Sequence, residues 1–202
     1  MQQPVARSQQ PAKRSLPKKT SPSPILHPML IQLTGLSGAG KTTIANQTKS
    51  LLDAEGRAVI IIDGDIYRQT LCKDLGFSKE DRIENIRRLG KLANDYSRQG
   101  YIAIIAAINP YEAARQELMK SYNAHTVWVN CNLDELIRRD TKGLYKRALL
   151  PDGDPGKLNN LTGINDVFEI PTSAFVLDTS KETVDESVRK LYSYIKAMGN
   201  RQ

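Results

Sequence analysis

The chain has 202 residues, of which 40% are hydrophobic and 25% are charged, a composition typical of a globular protein with one core. The net charge is +7, but residues 1–28 carry five basic residues and no acidic one. Subtracting these five leaves +2 for the rest, which argues against a nucleic-acid-binding face and suits a pocket for small anions. No apolar run approaches the ~20 residues that cross a membrane.

Residues 1–28 differ from the rest in composition. They hold six of the ten prolines together with Ser and Gln, so we predict a disordered tail ahead of a domain spanning 29–202. A transit peptide is the alternative, although the prolines disfavour an amphipathic helix, and no apolar signal-like stretch follows the basic residues. Cys72 and Cys131 lack metal-ligand spacing and are expected to be reduced packing residues. We therefore expect a cytoplasmic protein.

From Met29 onward, continuous apolar runs alternate with helical patterns. Such runs are expected of strands buried on both faces, so we predict an α/β fold with a doubly wound parallel five-stranded sheet and helices on both faces. Residues 142–171 are rich in Pro and Gly, and a loop of this length is usually functional, so we predict a lid there. The predicted helices cover residues 41–55, 66–73, 79–98, 111–121, 132–140 and 183–197. The predicted strands are Met29–Leu33, Ala58–Ile62, Tyr101–Ala107, Thr126–Val129 and Ala174–Leu177.

A glycine-rich segment follows the first predicted strand and opens a helix. Gly35-Leu-Ser-Gly-Ala-Gly-Lys-Thr42 matches G-x-x-x-x-G-K-[ST], the phosphate-binding loop or P-loop, and a chance glycine-rich turn would not explain its strand and helix context. Backbone N–H groups and the helix N-terminus attract phosphates, Lys41 is placed to reach the β- and γ-phosphates, and Thr42 offers a hydroxyl to Mg²⁺. The sequence therefore predicts a P-loop kinase whose phosphate-binding residues are Gly35, Leu36, Ser37, Gly38, Ala39, Gly40, Lys41, Thr42 and Thr43.

Two carboxylates follow the second predicted strand. Asp63 and Asp65 would lie at the carboxyl edge of the sheet beside the P-loop, where open α/β folds bind ligands. One of them could accept a hydroxyl proton or hold a magnesium-bound water. The alternative is that they only cap the helix that starts nearby, although one can cap while the other catalyses.

A third group of polar residues follows these carboxylates. Arg68 comes three residues after Asp65, and Arg82 and Asn85 share a face of the predicted helix 79–98. A guanidinium presents a fork of donors that suits sulfate and phosphate oxygens, so both arginines are candidate anion-binding groups. A solvated charged face is the alternative for Arg82 and the accepted interpretation for Arg87, Arg88 and Lys91.

Several motifs beyond the P-loop resemble those of adenylylsulfate (APS) kinases over residues 30 to 195. They are Asp63-Gly-Asp-Ile-Tyr-Arg68, Lys73-Asp-Leu-Gly-Phe-Ser78, Asp81-Arg-Ile-Glu-Asn-Ile-Arg-Arg88, Asn109-Pro-Tyr111, Lys142-Gly-Leu-Tyr-Lys146 and Leu161-Thr-Gly-Ile-Asn-Asp166. The resemblance implies transfer of the ATP γ-phosphate, with Mg²⁺, to the 3′-hydroxyl of adenylyl sulfate, which gives 3′-phosphoadenylyl sulfate and ADP. It also suggests a homodimer.

The resemblance assigns roles residue by residue. Asp65 corresponds to the residue that faces the 3′-hydroxyl, and Lys41 and Asp63 are the other catalytic candidates. Phe77 corresponds to one of two aromatic plates that hold the acceptor adenine. The implied acceptor-binding set is Asp65, Arg68, Phe77, Arg82, Asn85, Ile108, Asn109, Lys142 and Leu161, and the P-loop is joined in ATP binding by Arg139, Lys142 and Thr179.

Three positions depart from the family pattern near the acceptor. Leu161 stands where the second aromatic plate is usual and lacks the ring's ~0.5–1.5 kcal/mol. Asn109 replaces a serine, so it cannot be phosphorylated, and Glu112 replaces an arginine. A negative Glu112 close to a sulfated nucleotide would oppose binding, so either it points away or the acceptor differs. Two alternatives therefore stay open: a related kinase for another small nucleotide or sugar hydroxyl, and a non-catalytic nucleotide sensor.

Overall fold

The computed structural model describes residues 27–199, so the predicted tail lies outside the described residues except for His27 and Pro28. Within that range, one parallel sheet has the strand order β2-β3-β1-β4-β5, which confirms the predicted doubly wound layout. The order reverses around β1, and ligands of such folds bind where the carboxyl ends of the strands diverge. The strands are β1 Met29–Thr34, β2 Val59–Asp63, β3 Ile102–Ala106, β4 His125–Asn130 and β5 Phe175–Asp178.

Helices cover both faces of the sheet. The first helix and the last one contact each other and bury Ile44 and Leu191 in one cluster, while the third and fourth bury Ile86 and Leu118 in another. Burial on both faces explains why the inner strand β3 is apolar throughout and why β1 is fully buried. The helices are α1 Lys41–Ala54, α2 Gly64–Tyr67, α3 Lys79–Arg98, α4 Glu112–Tyr122, α5 Leu133–Arg139, α6 Leu144–Ala148 and α7 Val184–Gly199.

The predicted helix 66–73 was wrong in both bounds. The Asp63 side chain accepts hydrogen bonds from the amides of Asp65 (2.9 Å) and Ile66 (3.3 Å), so α2 already begins at Gly64. The buried Cys72 donates its amide to the carbonyl of Tyr67, five residues earlier, so turns replace the regular helix after Tyr67. The effect is to hold Asp65 in the first turn of a short helix directly after β2.

The region predicted as a lid contains α6, which the sequence analysis missed. After α6 the chain is irregular, with residues 151–155 exposed but Leu161 and Thr162 buried. Gly163 has a φ of +92°, and a Cβ there would lie 2.8 Å from the Leu36 side chain. Only glycine therefore allows this segment to pack directly against the P-loop.

Candidate functional site

Two adjoining cavities lie at the carboxyl edge of the sheet. The first, which we name the P-loop cavity, has a volume of about 220 Å³, and the second, the α3 cavity, about 330 Å³. Both are bordered by Asp65, Ala107 and Ile108, so these residues stand between them. The P-loop cavity is otherwise lined by Ser37, Gly38, Gly40, Lys41, Thr42, Thr43, Asp63, Ala106, Thr141 and Lys142. The α3 cavity is otherwise lined by Gly64, Arg68, Gln69, Phe77, Arg82, Asn85, Ile86, Asn109 and Pro110.

The P-loop wraps closely around the end of β4. Gly35 has a φ of +149°, and a Cβ there would lie 2.3 Å from the carbonyl oxygen of Val129, so no other residue fits. Lys41 is buried, and its Nζ donates to the carbonyls of Gly35 (2.8 Å) and Leu36 (2.7 Å). Burial lowers the pKa of Lys41 from 10.5 to about 8. The cation is thus held on the loop backbone at the wall of the P-loop cavity.

Asp63 has two sets of partners. Its Oδ1 caps α2, as the capping alternative proposed, while its Oδ2 accepts a 2.6 Å hydrogen bond from the Thr42 hydroxyl. Because both oxygens are engaged and the side chain is mostly buried, Asp63 is held rigidly. The Thr42 hydroxyl and the Asp63 carboxylate form a pair of oxygen ligands of the type that Mg²⁺ prefers.

Asp65 faces the opening between the two cavities. Its side chain is 74% exposed, and its Oδ2 lies 2.6 Å from the Nζ of Lys142, which is itself 53% exposed. An exposed ion pair of this kind contributes little stability, so either group can exchange its partner for a ligand. Asp65 is therefore the more available of the two carboxylates.

Phe77 borders the α3 cavity with a half-exposed ring. Two guanidinium groups lie over the ring, with the Arg68 Cζ at 4.7 Å from the centroid and the Arg82 Cζ at 5.4 Å. Arg68 also donates to the carbonyls of Leu75 and Gly76, in the segment that precedes Phe77. The cavity thus combines a flat apolar face with positive charge.

Arg82 is buried and is bonded more extensively than the sequence indicated. Its Nε donates to the Phe77 carbonyl (3.0 Å), and its Nη1 donates to the hydroxyl of Thr162 (3.1 Å). Its Nη2 donates to the Asn160 carbonyl (2.7 Å) and lies 2.9 Å from the Asp166 carboxylate. Arg82 therefore ties α3 to the predicted lid, in addition to lining the cavity. The positions of its partners in sequence gave no signal for this pairing.

Two asparagines line the α3 cavity with unsatisfied side-chain oxygens. The Oδ1 atoms of Asn85 and Asn109 are buried and have no hydrogen-bond partner among residues 27–199. Asn109 has a φ of +45°, and its Nδ2 donates to the Oε1 of Gln32 at 3.0 Å. The Thr34 hydroxyl holds the neighbouring carbonyl of Ile108 at 2.8 Å. These contacts fix the loop after β3 where the two cavities meet.

Glu112 does not face either cavity. Its carboxylate accepts from Arg115 (2.8 Å), Gln116 (2.8 Å) and Thr172 (2.6 Å). Although burial raises the pKa of Glu112, these hydrogen bonds lower it overall. The negative charge is thus balanced by these donors and lines neither cavity, so Glu112 does not oppose an anionic ligand there.

Leu161 is buried in the core cluster that contains Tyr145 and does not line the α3 cavity. Tyr145, on α6, donates its hydroxyl to the Ser37 carbonyl at 2.8 Å and so joins the predicted lid to the P-loop. The sequence indicated no role for Tyr145, although it lies three residues after Lys142 in the motif Lys142-Gly-Leu-Tyr-Lys146. The role of Leu161 as a second plate stays a prediction.

A third cavity of about 220 Å³ lies on the other side of the P-loop. Arg139 donates to the Thr179 carbonyl at 3.0 Å, and the Thr179 hydroxyl donates to the P-loop carbonyl of Ala39 at 3.1 Å. The fold therefore brings Arg139 and Thr179 together, as is required if both bind ATP. This cavity is lined by Ala39, Gly40, Ile44, Arg139, Thr179, Glu182, Thr183 and Val184.

Two kinds of feature are absent from the described part of the chain. Residues 27–199 contain no cluster of three His, Cys, Asp or Glu side chains arranged to hold a metal ion. No helix in that range is long and apolar enough to span a membrane.

The sequence and the fold of this chain were compared with those of known proteins. Residues 27–178 match the family model of adenylylsulphate kinase. An adenylyl-sulfate kinase of Microcystis aeruginosa is 45% identical over 171 residues, which cover 84% of this chain and 92% of the relative. The structure of the Mycobacterium tuberculosis APS kinase CysC in complex with AMPPNP and APS is 29% identical, with a TM-score of 0.75 and coverage of 84% and 99%. A hexameric APS kinase from Thiobacillus denitrificans is 26% identical, with a TM-score of 0.62 and coverage of 88% and 30%. This chain belongs to the adenylylsulfate kinase family.

Proposed function

We propose that this chain transfers the γ-phosphate of ATP to the 3′-hydroxyl of adenylyl sulfate, producing 3′-phosphoadenylyl sulfate and ADP. The observation that carries the proposal is that Asp65 borders both the P-loop cavity and the α3 cavity. A phosphoryl group can pass directly between two ligands only if their sites adjoin. The M. tuberculosis relative, whose complex holds AMPPNP and APS together, supports this arrangement.

On the donor side, the P-loop supplies positioning and charge. Backbone N–H groups from Ser37 to Thr43 and the start of α1 receive the phosphates. Lys41 approaches the β- and γ-phosphates by exchanging its bonds to the Gly35 and Leu36 carbonyls for phosphate oxygens. Lys142, at the rim of the same cavity, adds a second positive charge. The nucleotide base would extend toward the third cavity, where Arg139 and Thr179 lie.

Mg²⁺ is the metal that the oxygen pair of Thr42 and Asp63 would accept. The Thr42 hydroxyl suits direct coordination, and the Asp63 carboxylate, 2.6 Å away, suits a bridging water. Mg²⁺ in P-loop enzymes usually takes its other ligands from phosphates and waters, so a cluster of protein carboxylates is not required. When bound, the ion neutralises negative charge on the transferring phosphoryl group.

Asp65 is the group that orients or deprotonates the 3′-hydroxyl. Its exposed carboxylate is paired only at the surface with Lys142, whereas both oxygens of Asp63 are engaged. Asp65 can therefore turn to the acceptor hydroxyl, and Lys142 can turn to the phosphates. Asp63 acts through Thr42 and the helix cap.

On the acceptor side, the adenine stacks on Phe77, and the cations over that ring receive the sulfate and phosphate oxygens. Arg68 is the more available cation, since Arg82 has protein partners on all three guanidinium nitrogens. The unpartnered oxygens of Asn85 and Asn109 accept donors from the nucleoside, and Ile108 separates acceptor from donor. The lid, residues 142–171, excludes water when it closes, and a place for Leu161 beside the adenine requires that it leave the core cluster in which it is buried.

Two further observations bear on the location of the protein in the cell and on its self-association. Cys72 and Cys131 are free, buried thiols, which supports a reducing and hence cytoplasmic location that cell fractionation would test. The hexameric relative from T. denitrificans supports self-association of this chain, for which we propose a homodimer. Sedimentation analysis of the purified protein measures its assembly state.

The proposed function is tested by incubating the protein with Mg-ATP and adenylyl sulfate and quantifying both products by chromatography. We expect 3′-phosphoadenylyl sulfate and ADP in equal amounts. Parallel reactions with adenosine 5′-phosphate and with a sugar test the alternative acceptors, and a reaction without acceptor measures hydrolysis of ATP. ATP binding without any 3′-phosphoadenylyl sulfate would overturn the assignment of the acceptor.

A further inference from the structure

Arg115 lies on α4, lines neither cavity and is fully buried. Its guanidinium donates to two segments of the chain, residues 109–112 and residue 169. Its Nε donates to Glu112 Oε2 at 2.8 Å, its Nη1 to the carbonyl of Asn109 at 2.7 Å, and its Nη2 to the carbonyl of Glu169 at 2.6 Å. Burying a cation costs desolvation free energy unless its hydrogen bonds are all made. These bonds therefore fix the position of the Arg115 guanidinium.

Asn109 is held by a second route as well. Its side chain donates to Gln32 Oε1, and the Nε2 of Gln32 donates to the Arg115 carbonyl (3.0 Å) and the Thr126 hydroxyl (2.8 Å). Asn109 has a φ of +45°, which a non-glycine residue adopts only when its surroundings stabilise it. Arg115 and Gln32 supply that stabilisation together with Thr34, whose hydroxyl also donates to the Asn109 carbonyl at 2.9 Å.

The same network reaches the end of the predicted lid. The amide of Glu112 donates to Glu169 Oε2 (2.6 Å), and the amide of Glu169 donates to the Pro110 carbonyl (2.9 Å). The Thr172 hydroxyl donates to Glu112 Oε1 at 2.6 Å. Residues 109–112 and 169–172 are thus bonded to each other at several points, with Arg115 between them.

We propose that Arg115 is a positioning residue for the acceptor: it holds the wall formed by Asn109 and Pro110 in place and joins that wall to the end of the lid. The inference rests on the proposed function. Asn109 and Pro110 line only the α3 cavity, and Arg115 bonds directly to the Asn109 carbonyl. Disturbing Arg115 therefore affects acceptor binding more than ATP binding.

The discriminating variant is Arg115→Lys. Lysine keeps the positive charge beside Glu112 but lacks the planar fork, so it cannot bond to the carbonyls of Asn109 and Glu169 together. The matched control is Arg87→Lys, since Arg87 forms ion pairs with Glu84 and Glu117 on the surface of α3. Each protein is assayed for kcat, for KM with ATP and with adenylyl sulfate, and for its melting temperature.

For Arg115→Lys we expect KM for adenylyl sulfate to rise about tenfold or more, with KM for ATP changed less than about twofold. Arg87→Lys should match the wild type. Calorimetric titration with adenylyl sulfate, in the presence of ADP, should show the same loss of affinity. Equal changes in both KM values, or a lower melting temperature with unchanged KM values, would show a purely structural role and overturn the inference.

Thr172→Val provides a second test if Arg115→Lys does not fold. Thr172 is exposed and meets the network only through Glu112, so the variant should fold and raise KM for adenylyl sulfate about two- to threefold. An unchanged KM in Thr172→Val would contradict the coupling to the lid end. Failure of the wild type to phosphorylate adenylyl sulfate would overturn the proposed function and this inference with it, whereas an active wild type with an unaltered Arg115→Lys variant would overturn the inference alone.

Discussion

One continuous segment, the P-loop with the first residues of α1, supplies six of the residues that line the P-loop cavity, from Ser37 to Thr43. The α3 cavity instead draws on four segments between Gly64 and Pro110, and none contributes more than four residues. Phosphates are bound largely by backbone groups and one lysine, which a short motif can position by itself. The acceptor side depends on side chains that the fold brings together, so it is open to change at distant positions.

The cations of the two cavities show the same difference. Lys41 is held by carbonyls five and six residues earlier in the chain. Arg82 is held by residues that follow it by about 80 positions, and these belong to the predicted lid. The lid therefore positions Arg82 but not Lys41, so substitutions in the lid should displace the α3 cation more than the P-loop cation.

The largest effect should come from Lys41→Ala. Loss of the cation at the β- and γ-phosphates should lower kcat at least about 10³-fold, because electrostatic stabilisation dominates phosphoryl transfer. The fold should persist, since burial already lowers the pKa of Lys41 to about 8 and its removal relieves that cost. Circular dichroism measures the fold and product formation measures the activity. Lys49→Ala, which removes the ion pair with Asp53 and a hydrogen bond to the Val59 carbonyl, is the control. Full activity in Lys41→Ala would contradict the assignment.

The next largest effect should separate the two carboxylates. Asp65→Asn should lower kcat about 10²- to 10⁴-fold with little change in KM for ATP, as expected for loss of a general base. Asp63→Asn should instead raise the magnesium concentration needed for half-maximal rate, because it weakens the pair with Thr42. It should leave the α2 cap largely intact, because asparagine caps a helix N-terminus about as well as aspartate does. Reversed phenotypes would assign the base to Asp63.

Phe77→Ala tests the α3 cavity alone. Removing the ring eliminates a stacking surface worth about 1–3 kcal/mol per base, so KM for adenylyl sulfate should rise roughly 5- to 150-fold. KM for ATP should stay near the wild-type value, because Phe77 does not line the P-loop cavity. Steady-state kinetics with each substrate varied in turn make the measurement. An equal rise in both KM values would mean that the two cavities are not independent.

The smallest effects should come from two matched hydroxyl deletions. Thr179→Val removes a hydrogen bond to the Ala39 carbonyl and should raise KM for ATP a few-fold. Thr162→Val removes an acceptor from Arg82 and should raise KM for adenylyl sulfate by a similar factor. Steady-state assays measure KM for both substrates in each variant, and each variant should raise KM for a different substrate. If either variant changed the other substrate instead, the division between the two sides would be wrong.

The sequence predicted the fold well, and six of the nine predicted P-loop residues line the P-loop cavity, while their binding of phosphate stays a prediction. Alternating apolar runs and helical patterns predicted the five strands. The P-loop match predicted that Lys41 and Thr42 lie in the same binding cavity. These features depend on short-range patterns. The errors in the predicted helices also have local causes. The bounds of α2 depend on the Asp63 cap and on the hydrogen bond from the Cys72 amide to the Tyr67 carbonyl. The helix α6 is too short to show a clear helical period in the sequence.

Seven of the nine predicted acceptor-binding residues line the α3 cavity, but Lys142 lines the P-loop cavity, Leu161 lines neither, and the bonding of the seven was not predicted. Asp65, Arg68, Phe77, Arg82 and Asn85 do line one cavity. The sequence showed neither that Arg82 is bonded to Thr162 and Asp166 nor that Glu112 turns away toward Arg115 and Thr172. Apart from Arg115, these partners are about 60 to 84 residues away in sequence and leave no periodic signal.

By itself, the sequence determined the sheet, the phosphate-binding loop and the set of residues around it, because backbone conformation and burial of apolar runs follow from neighbouring residues. Only the tertiary structure decided that Asp65 stands between two cavities, that Lys142 lies against it, and that Arg115 joins the loop after β3 to residue 169. Those contacts depend on which distant segments the crossovers bring to the same edge of the sheet, and on which buried polar groups must then be satisfied.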